Sequence, residues 1–281
     1  MKLKILVTGA NGQLGNCLRE IATQTMHDFV FTDFEELDIT NEKAVCNFVK
    51  EQQPDWIVNA AAYTAVDKAE SDLEKARLLN ATAVGYLAKA AKDVEAGIVH
   101  ISTDYVFKGD NPNPLSEEEM TAPVSAYGKT KLEGELLVQE YNPNHIIIRT
   151  AWLYSIFGNN FVKTMRRFGA EKDSLSVVSD QWGSPTSAHD LAKAILVAVE
   201  KPIPGIYHFS NEGVTNWALF AEEIMMLSGL NCEIKHISTE EYPTPAQRPE
   251  YSILSKKKFK DSFKITIPEW EASLEEVINK L

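Results

Sequence analysis

Apolar and polar positions along the chain fall into two rhythms. Short continuous apolar runs rich in β-branched residues, KILVT (4–8), FVFTD (29–33), DWIVNA (55–60), GIVHIS (97–102) and HIIIRT (145–150), read as strands covered on both faces. Between them QLGNCLREIATQ (13–24), NEKAVCNFVKEQQ (41–53) and the segment from about Val66 to Lys92 place apolar residues at helical spacing. Pro54 closes the second of these helices. Strands alternating with helices imply right-handed βαβ crossovers, and so an α/β fold with a doubly wound, Rossmann-like parallel sheet.

After Thr150 the alternation loosens. LSVVSD (175–180), GIYHFS (205–210) and EIKHIS (233–238) are short strands among helices such as SAHDLAKAILVAVE (187–200), and the proline-rich loop PTPAQRP (243–249) intervenes. We expect a dinucleotide-binding domain over residues 1–150, to which some later segments return. Residues 151–281 should form mainly a smaller α+β substrate lobe. Ligands of open α/β sheets sit beyond the carboxyl ends of the strands, so the cleft between the lobes is the expected site.

Charge and cysteine content narrow the function classes. A net charge of −12 argues against nucleic acid as a partner. The basic stretches KKKFK (256–260) and RR (166–167) read as solvated surface. No apolar run approaches the roughly 18 residues of a membrane span. The apolar part of MKLKILVTGA is too short for a signal peptide, so a cytoplasmic protein without a membrane partner is expected. Cys17, Cys46 and Cys232 are far apart and form no CxxC, which suggests neither a disulfide framework nor a zinc site.

The first strand runs into Thr8-Gly9-Ala10-Asn11-Gly12-Gln13-Leu14-Gly15, a GxxGxxG loop that opens a helix. Glycines there allow a tight turn and close approach of a pyrophosphate, which the positive end of the helix attracts. Asp33, at the end of the second strand, would accept ribose hydroxyls and favour NADH. Arg19 would meet a 2′-phosphate and favour NADPH, so the two signals conflict. Asp38 and Ile39 are placed to reach the adenine, with Thr40 or Asn41 capping the next helix. Ala60, Ala61 and Ala62 leave room for a cofactor at the sheet edge, or serve close packing. Asn80 is a polar residue inside a helical pattern; it either solvates an irregularity near the site or faces water.

The stretch Ser125-Ala126-Tyr127-Gly128-Lys129-Thr130-Lys131 opens a further helix. Residues four apart share a helix face, so Tyr127 pairs with Lys131 and not with Lys129. A nearby cation favours a phenolate. Lowering a phenol from its usual range to neutrality takes about 4 kcal/mol. The alternative is a pair of surface contacts, Lys129 with Glu133 and Lys131 with Glu135. Gly128 offers a spot where cofactor or substrate comes close. The strand before this helix ends in Ser102-Thr103; successive strand residues face opposite ways, so one of the two points into the site.

The glycine loop, the strand ending in hydroxyl residues and YxxxK, in this order, resemble the extended short-chain dehydrogenase/reductase family over the whole chain. NAAAYTAVDKAE (59–70), STDYVFKG (102–109), YGKTKLEGE (127–135), RTAWLYSIFGNNFV (149–162) and VSDQWGSPT (178–186) narrow the likeness to its reductases of dTDP-activated 4-keto sugars. The resemblance implies hydride transfer from NADPH, or NADH, to the C4 ketone of dTDP-6-deoxy-L-lyxo-4-hexulose. The product would be dTDP-L-rhamnose for cell-surface polysaccharide. Tyr127 would donate the proton, Lys131 would tune it and hold the nicotinamide ribose, and Thr103 would polarise the ketone.

By the same resemblance, Gly9, Asn11, Gly12, Gln13, Leu14, Gly15, Asp38, Ile39, Ala60, Ala61, Ala62, Tyr63 and Thr64 would join Tyr127 and Lys131 in holding the cofactor. Val66, Asp67, Thr103, Asp104, Tyr105 and Trp152 would meet the dTDP-sugar, with Arg248 clamping its diphosphate. Some family members dimerise through Mg2+. EWEASLEE (269–276) supplies acids without matching particular ligands, so either a monomer or a homodimer is expected. Talose-forming reductases and related epimerases would share these motifs. A non-catalytic nucleotide-binding subunit of the same fold would not need Thr103, Tyr127 and Lys131 intact.

Overall fold

The computed structural model describes residues 2–281. Its centre is a six-stranded sheet: β1 (Lys4–Thr8), β2 (Asp28–Thr32), β3 (Trp56–Asn59), β4 (Gly97–Thr103), β5 (His145–Thr150) and β6 (Gly205–His208). All neighbours run parallel, in the order β6-β5-β4-β3-β1-β2. The strands are continuous apolar runs because both faces are covered. Ile5, Val7, Val58, Val99, Ile146 and Ile148 pack on α1 (Gln13–Ala22) and on the helix Ala188–Glu200. Leu6, Ile57, Ile98 and Ile147 face the other way, onto α2 (Glu42–Gln52) and α3 (Ala83–Asp93). That is the period-2 alternation of a strand sorting one run into two cores.

α4 (Ala126–Tyr141) lies on this second face; Ser125 caps it by accepting from the Gly128 N–H at 3.1 Å. The single helix expected from Val66 to Lys92 is broken. It consists of Val66–Ala69, Leu73–Arg77, a π turn at Leu78–Thr82 and then α3. GIYHFS does not stay with the later strands: Gly205–His208 extends the main sheet beside β5. The remaining C-terminal strands form three small pairs, Ser174–Val178 with Glu233–Ile237, Trp182–Gly183 with Thr215–Asn216 and Leu153–Tyr154 with Thr186–Ser187. The first pair packs Leu175, Val177 and Ile234 against Ala218 and Ala221, and a separate aromatic cluster includes Tyr154, Phe220 and Trp270.

A buried ion pair ties α4 to the sheet. Arg149 on β5 donates to Glu135 on α4 through Nε at 2.9 Å and Nη2 at 2.7 Å, with the two side chains 3% and 0% exposed. Ser102 on β4 donates to the same carboxylate at 2.5 Å. Arg149 also lies over the Phe107 ring, 5.0 Å from its centroid.

Two outcomes follow. Arg149→Met strands Glu135 as a buried unpaired carboxylate and should cost about 3–5 kcal/mol in urea denaturation, whereas Glu135→Leu combined with Arg149→Met should recover much of that. His208, fully buried on β6, has its pKa pushed down to about 3, first by burial and then by the Arg149 charge. The unfolded chain therefore binds a proton that the native state refuses, and stability falls as pH drops from about 6.5 toward 3. A His208→Leu variant should lose up to about 1.4 kcal/mol per pH unit of that slope, read as the difference between two pH-dependent denaturation series.

Candidate active site

Chain order reverses beside β1, which pairs β2 on one edge and β3 on the other. A cleft of about 670 Å³ opens at this switch point, lined by Gly9, Asn11, Gly12, Asp33, Asp38, Ile39 and Ala60–Ala62 among others. Gly9 has φ +70°, and a Cβ there would sit 2.6 Å from the Ala61 backbone nitrogen. Only glycine lets β1 turn this close to β3. Gly12 caps α1 without a side-chain hydrogen bond, so no side chain occupies the positive end of that helix. A small-residue cradle facing an uncapped helix start fits a dinucleotide pyrophosphate.

Around this cradle several expected residues already have protein partners. Asp33 accepts from the Asn11 N–H at 2.9 Å and the Phe34 N–H at 2.8 Å, and so braces the glycine loop. Arg19 stacks over Phe31 at 4.4 Å. Asp38 accepts from the Thr40 hydroxyl at 2.7 Å, while Asn41 is the residue that caps α2. The Gln13 carbonyl accepts from Ser155 and Asn160, pinning the loop after β5 to the start of α1. Leu14 lies in the core, which leaves only its backbone available to a ligand, and Gly15 packs against Ala10. Tyr63 is held through its backbone; Thr64 is exposed beside it.

Beyond the end of β4 the reactive side chains meet. Ser102 faces α4 and is consumed by Glu135. The Thr103 hydroxyl lies beside the Tyr127 phenol, donates to Asp104 Oδ1 at 2.9 Å and accepts from the Tyr105 N–H at 3.2 Å. Of the two hydroxyls, Thr103 is therefore the one in the site. On α4, Lys131 is buried and Lys129 exposed. Neither makes the surface pair considered for it: Glu133 binds Arg77 and Glu135 binds Arg149. The Lys131 amine donates to the Ile101 carbonyl at 2.6 Å.

The Tyr127 phenol is raised above its ordinary pKa, chiefly by burial. The expected lowering by Lys131 is not what this site shows, because burial dominates and the amine is turned to the strand. Gly128 also has a different reason from the one expected. A Cβ there would lie 2.2 Å from the Tyr105 carbonyl oxygen, so it lets α4 abut the protein's own backbone.

The substrate-side residues gather across the opening. Asp67 Oδ2 accepts from Arg248 at 2.8 Å, and Arg248 also reaches the Tyr105 hydroxyl. Val66, next to Asp67, is half-buried. Tyr105 meets the Tyr127 ring edge-on at 5.6 Å. Asp104 is buried, with Oδ2 unpartnered and a pKa raised to about 6 by burial. Trp152 has φ +49°, a strained backbone for a bulky residue, and stacks on Trp217 at 3.7 Å.

The family model described as the RmlD substrate binding domain matches residues 2–281. The chain belongs to this family. A relative from Escherichia coli named dTDP-4-dehydrorhamnose reductase is 43% identical, over 99% of this chain and 98% of the relative. The crystal structure of a dTDP-4-dehydrorhamnose reductase from Clostridium acetobutylicum has a TM-score of 0.97 at 45% identity and covers 99% of each chain. One from Bacillus anthracis in complex with NADP also gives 0.97, at 40% identity, over 100% of both chains.

In this member of the RmlD family, Asn80 takes the first of the two roles considered for it, at a helix irregularity near the site, while Asn59, His100, Arg149 and Trp217 escaped the motifs. Asn80, buried in the π turn, grips both backbone groups of Tyr63 and the Thr130 hydroxyl on α4. Asn59, His100 and Arg149 are polar residues inside otherwise apolar strands, and that interruption was the available signal. Trp217 carries no such signal. Among the described residues no group of three or more His, Cys, Asp or Glu side chains could hold a metal ion, so the Mg2+ expectation finds no ligand set.

Replacing each hydroxyl at the end of β4 separates their tasks. Thr103→Val should cut turnover at least about 100-fold with little loss of stability. Ser102→Ala should cost about 1 kcal/mol in denaturation and leave turnover nearly unchanged.

Proposed function

We propose that the chain reduces the C4 ketone of dTDP-6-deoxy-L-lyxo-4-hexulose to give dTDP-L-rhamnose, a precursor of cell-surface polysaccharide. The observation that carries this reading is the meeting of Thr103, at the end of β4, with the Tyr127 phenol of α4, near a cleft that fits a dinucleotide. Full-length likeness to named reductases at 40–45% identity supports the substrate.

Ketone reduction adds a hydride to carbon and a proton to oxygen. The nicotinamide supplies the hydride when bound. Burial keeps the Tyr127 phenol protonated at neutral pH, which suits a proton donor to the nascent alkoxide. Thr103 stands beside the phenol to meet the ketone oxygen, and Asp104 orients the Thr103 hydroxyl. Lys131, buried and four positions on along the same helix face, is the cation that serves the phenolate that Tyr127 becomes. Arg248, oriented by Asp67, takes the diphosphate, and Trp152 offers a flat surface to the nucleotide or sugar.

NADPH is the preferred donor in this reading. The NADP-bound relative supports it, and Asp33, the residue that favoured NADH, already serves two backbone N–H groups.

Incubation with the dTDP-4-keto sugar should consume NADPH faster than NADH and yield the rhamnose epimer. A talose product, or no oxidation of either cofactor, would overturn the assignment. Tyr127→Phe should still bind cofactor and lose turnover at least about 100-fold, measured by absorbance.

A further inference from the structure

A row of buried polar residues crosses the carboxyl end of the sheet. Thr8, Asn59 and His100 are register partners on β1, β3 and β4. All three point to the face that carries α4, since they share strand parity with Leu6, Ile57 and Ile98. The row ends at Lys131, whose amine lies 3.5 Å from His100 Nε2. Each of the four side chains is 4% exposed or less.

The hydrogen bonds fix which nitrogen of His100 carries its proton. Asn59 Oδ1 receives the Ala61 N–H at 3.2 Å and the Thr8 hydroxyl at 2.8 Å. A backbone N–H can only donate, so the oxygen of that carboxamide faces Ala61 and its NH2 faces His100 Nδ1, at 3.1 Å. Nδ1 must therefore be the lone-pair nitrogen. The ring is neutral, since burial and then the Lys131 charge hold its pKa well below the usual histidine range. Its one proton sits on Nε2, facing the lysine.

An ammonium has only donors to offer and opposes that N–H. A neutral amine accepts it and still donates to the Ile101 carbonyl at 2.6 Å. The charged groups that act on the pair are Lys131 on the imidazole and Glu135 on the amine. Glu135 is already spent on Arg149 and Ser102.

We infer that His100 is a positioning residue for Lys131: the bulk of its ring keeps the side chain on the Ile101 carbonyl, and its tautomer, locked by Asn59 and Thr8, turns Nε2–H to the amine and so lowers the amine's affinity for a proton. Burial acts in the same direction, bringing the Lys131 pKa down to about 8. The inference rests on the reading of Lys131 as part of the reductase site. There Lys131 is needed as a cation beside the Tyr127 phenolate, and its loss of a proton sets the basic limb of the kcat/KM profile.

The test is the pH dependence of kcat and kcat/KM for His100→Leu and His100→Gln, after thermal melting shows which variants fold. In His100→Leu, kcat should fall about 10- to 100-fold, as expected for a displaced catalytic group. The basic limb should rise by about one pH unit as the opposing N–H is lost. In His100→Gln the carboxamide reaches the amine and can turn its oxygen to it, so most of kcat should return while the limb stays raised. A folded variant with the parent's limb, or with a change in KM alone, overturns the inference; either variant suffices if the other fails to fold. Lys131→Met, run alongside, keeps the two readings apart. Normal turnover in that variant refutes the assignment of Lys131. If it is inactive while the His100 variants keep the parental limb, only the role of His100 fails.

Discussion

The contact between Glu135 and Arg149 is the constraint on which the site depends. It joins α4 to β5, and Ser102 adds β4 to the same carboxylate. Tyr127 and Lys131 lie two turns and one turn before Glu135 on that helix. Fixing Glu135 therefore fixes their rotation about the helix axis and their height above the strand ends. A buried ion pair is a weak source of net stability compared with an apolar replacement, but it is intolerant of losing one partner. Its value here is the unique seating of α4, which an apolar contact of similar area would specify less sharply.

Polar groups are placed on this face at some cost, and nearly all are satisfied. Thr8, Asn59 and His100 form one row; Asn80 closes another around Tyr63 and Thr130. The π turn at Leu78–Thr82 lets Asn80 reach inward, and Gly134 on α4 lets the helix approach the Asn80 carbonyl oxygen, 2.1 Å from where a Cβ would be. Such turns inside helices concentrate at functional sites. Arg149 Nη1 and His208 Nε2 are exceptions, and so is Asp104 Oδ2, a buried oxygen without a partner at the point where the proposed substrate arrives.

The two ends of the site are built on different physics. The cofactor end consists of backbone and small side chains: Gly9, the alanines after β3 and the uncapped start of α1. The reactive end consists of side chains held by other side chains. Asp67 with Arg248 and Trp152 with Trp217 extend this into the C-terminal half of the chain, where strain at Trp152 is held by stacking.

The amino-acid sequence by itself determined the sheet strands, the glycine loop and the placing of Lys131, rather than Lys129, on the inward face of α4. Each is a local property, a run of β-branched residues, a turn that needs glycine or an angle of 100° per residue, and each is legible within a few positions. The sequence left Ser102 and Thr103 open, did not say which later segment returns to the main sheet and read residues 66 to 92 as one helix. Tertiary structure decided these. Which hydroxyl enters the site depends on Glu135, thirty-odd positions away; the last strand needed an unfilled edge at β5; the π turn needed α4 to pack against it. It also decided the state of the reactive groups. A neighbouring lysine predicts a lowered phenol, but the burial that raises it, and the carbonyl and imidazole that claim the lysine, come from segments that meet only when the chain is folded.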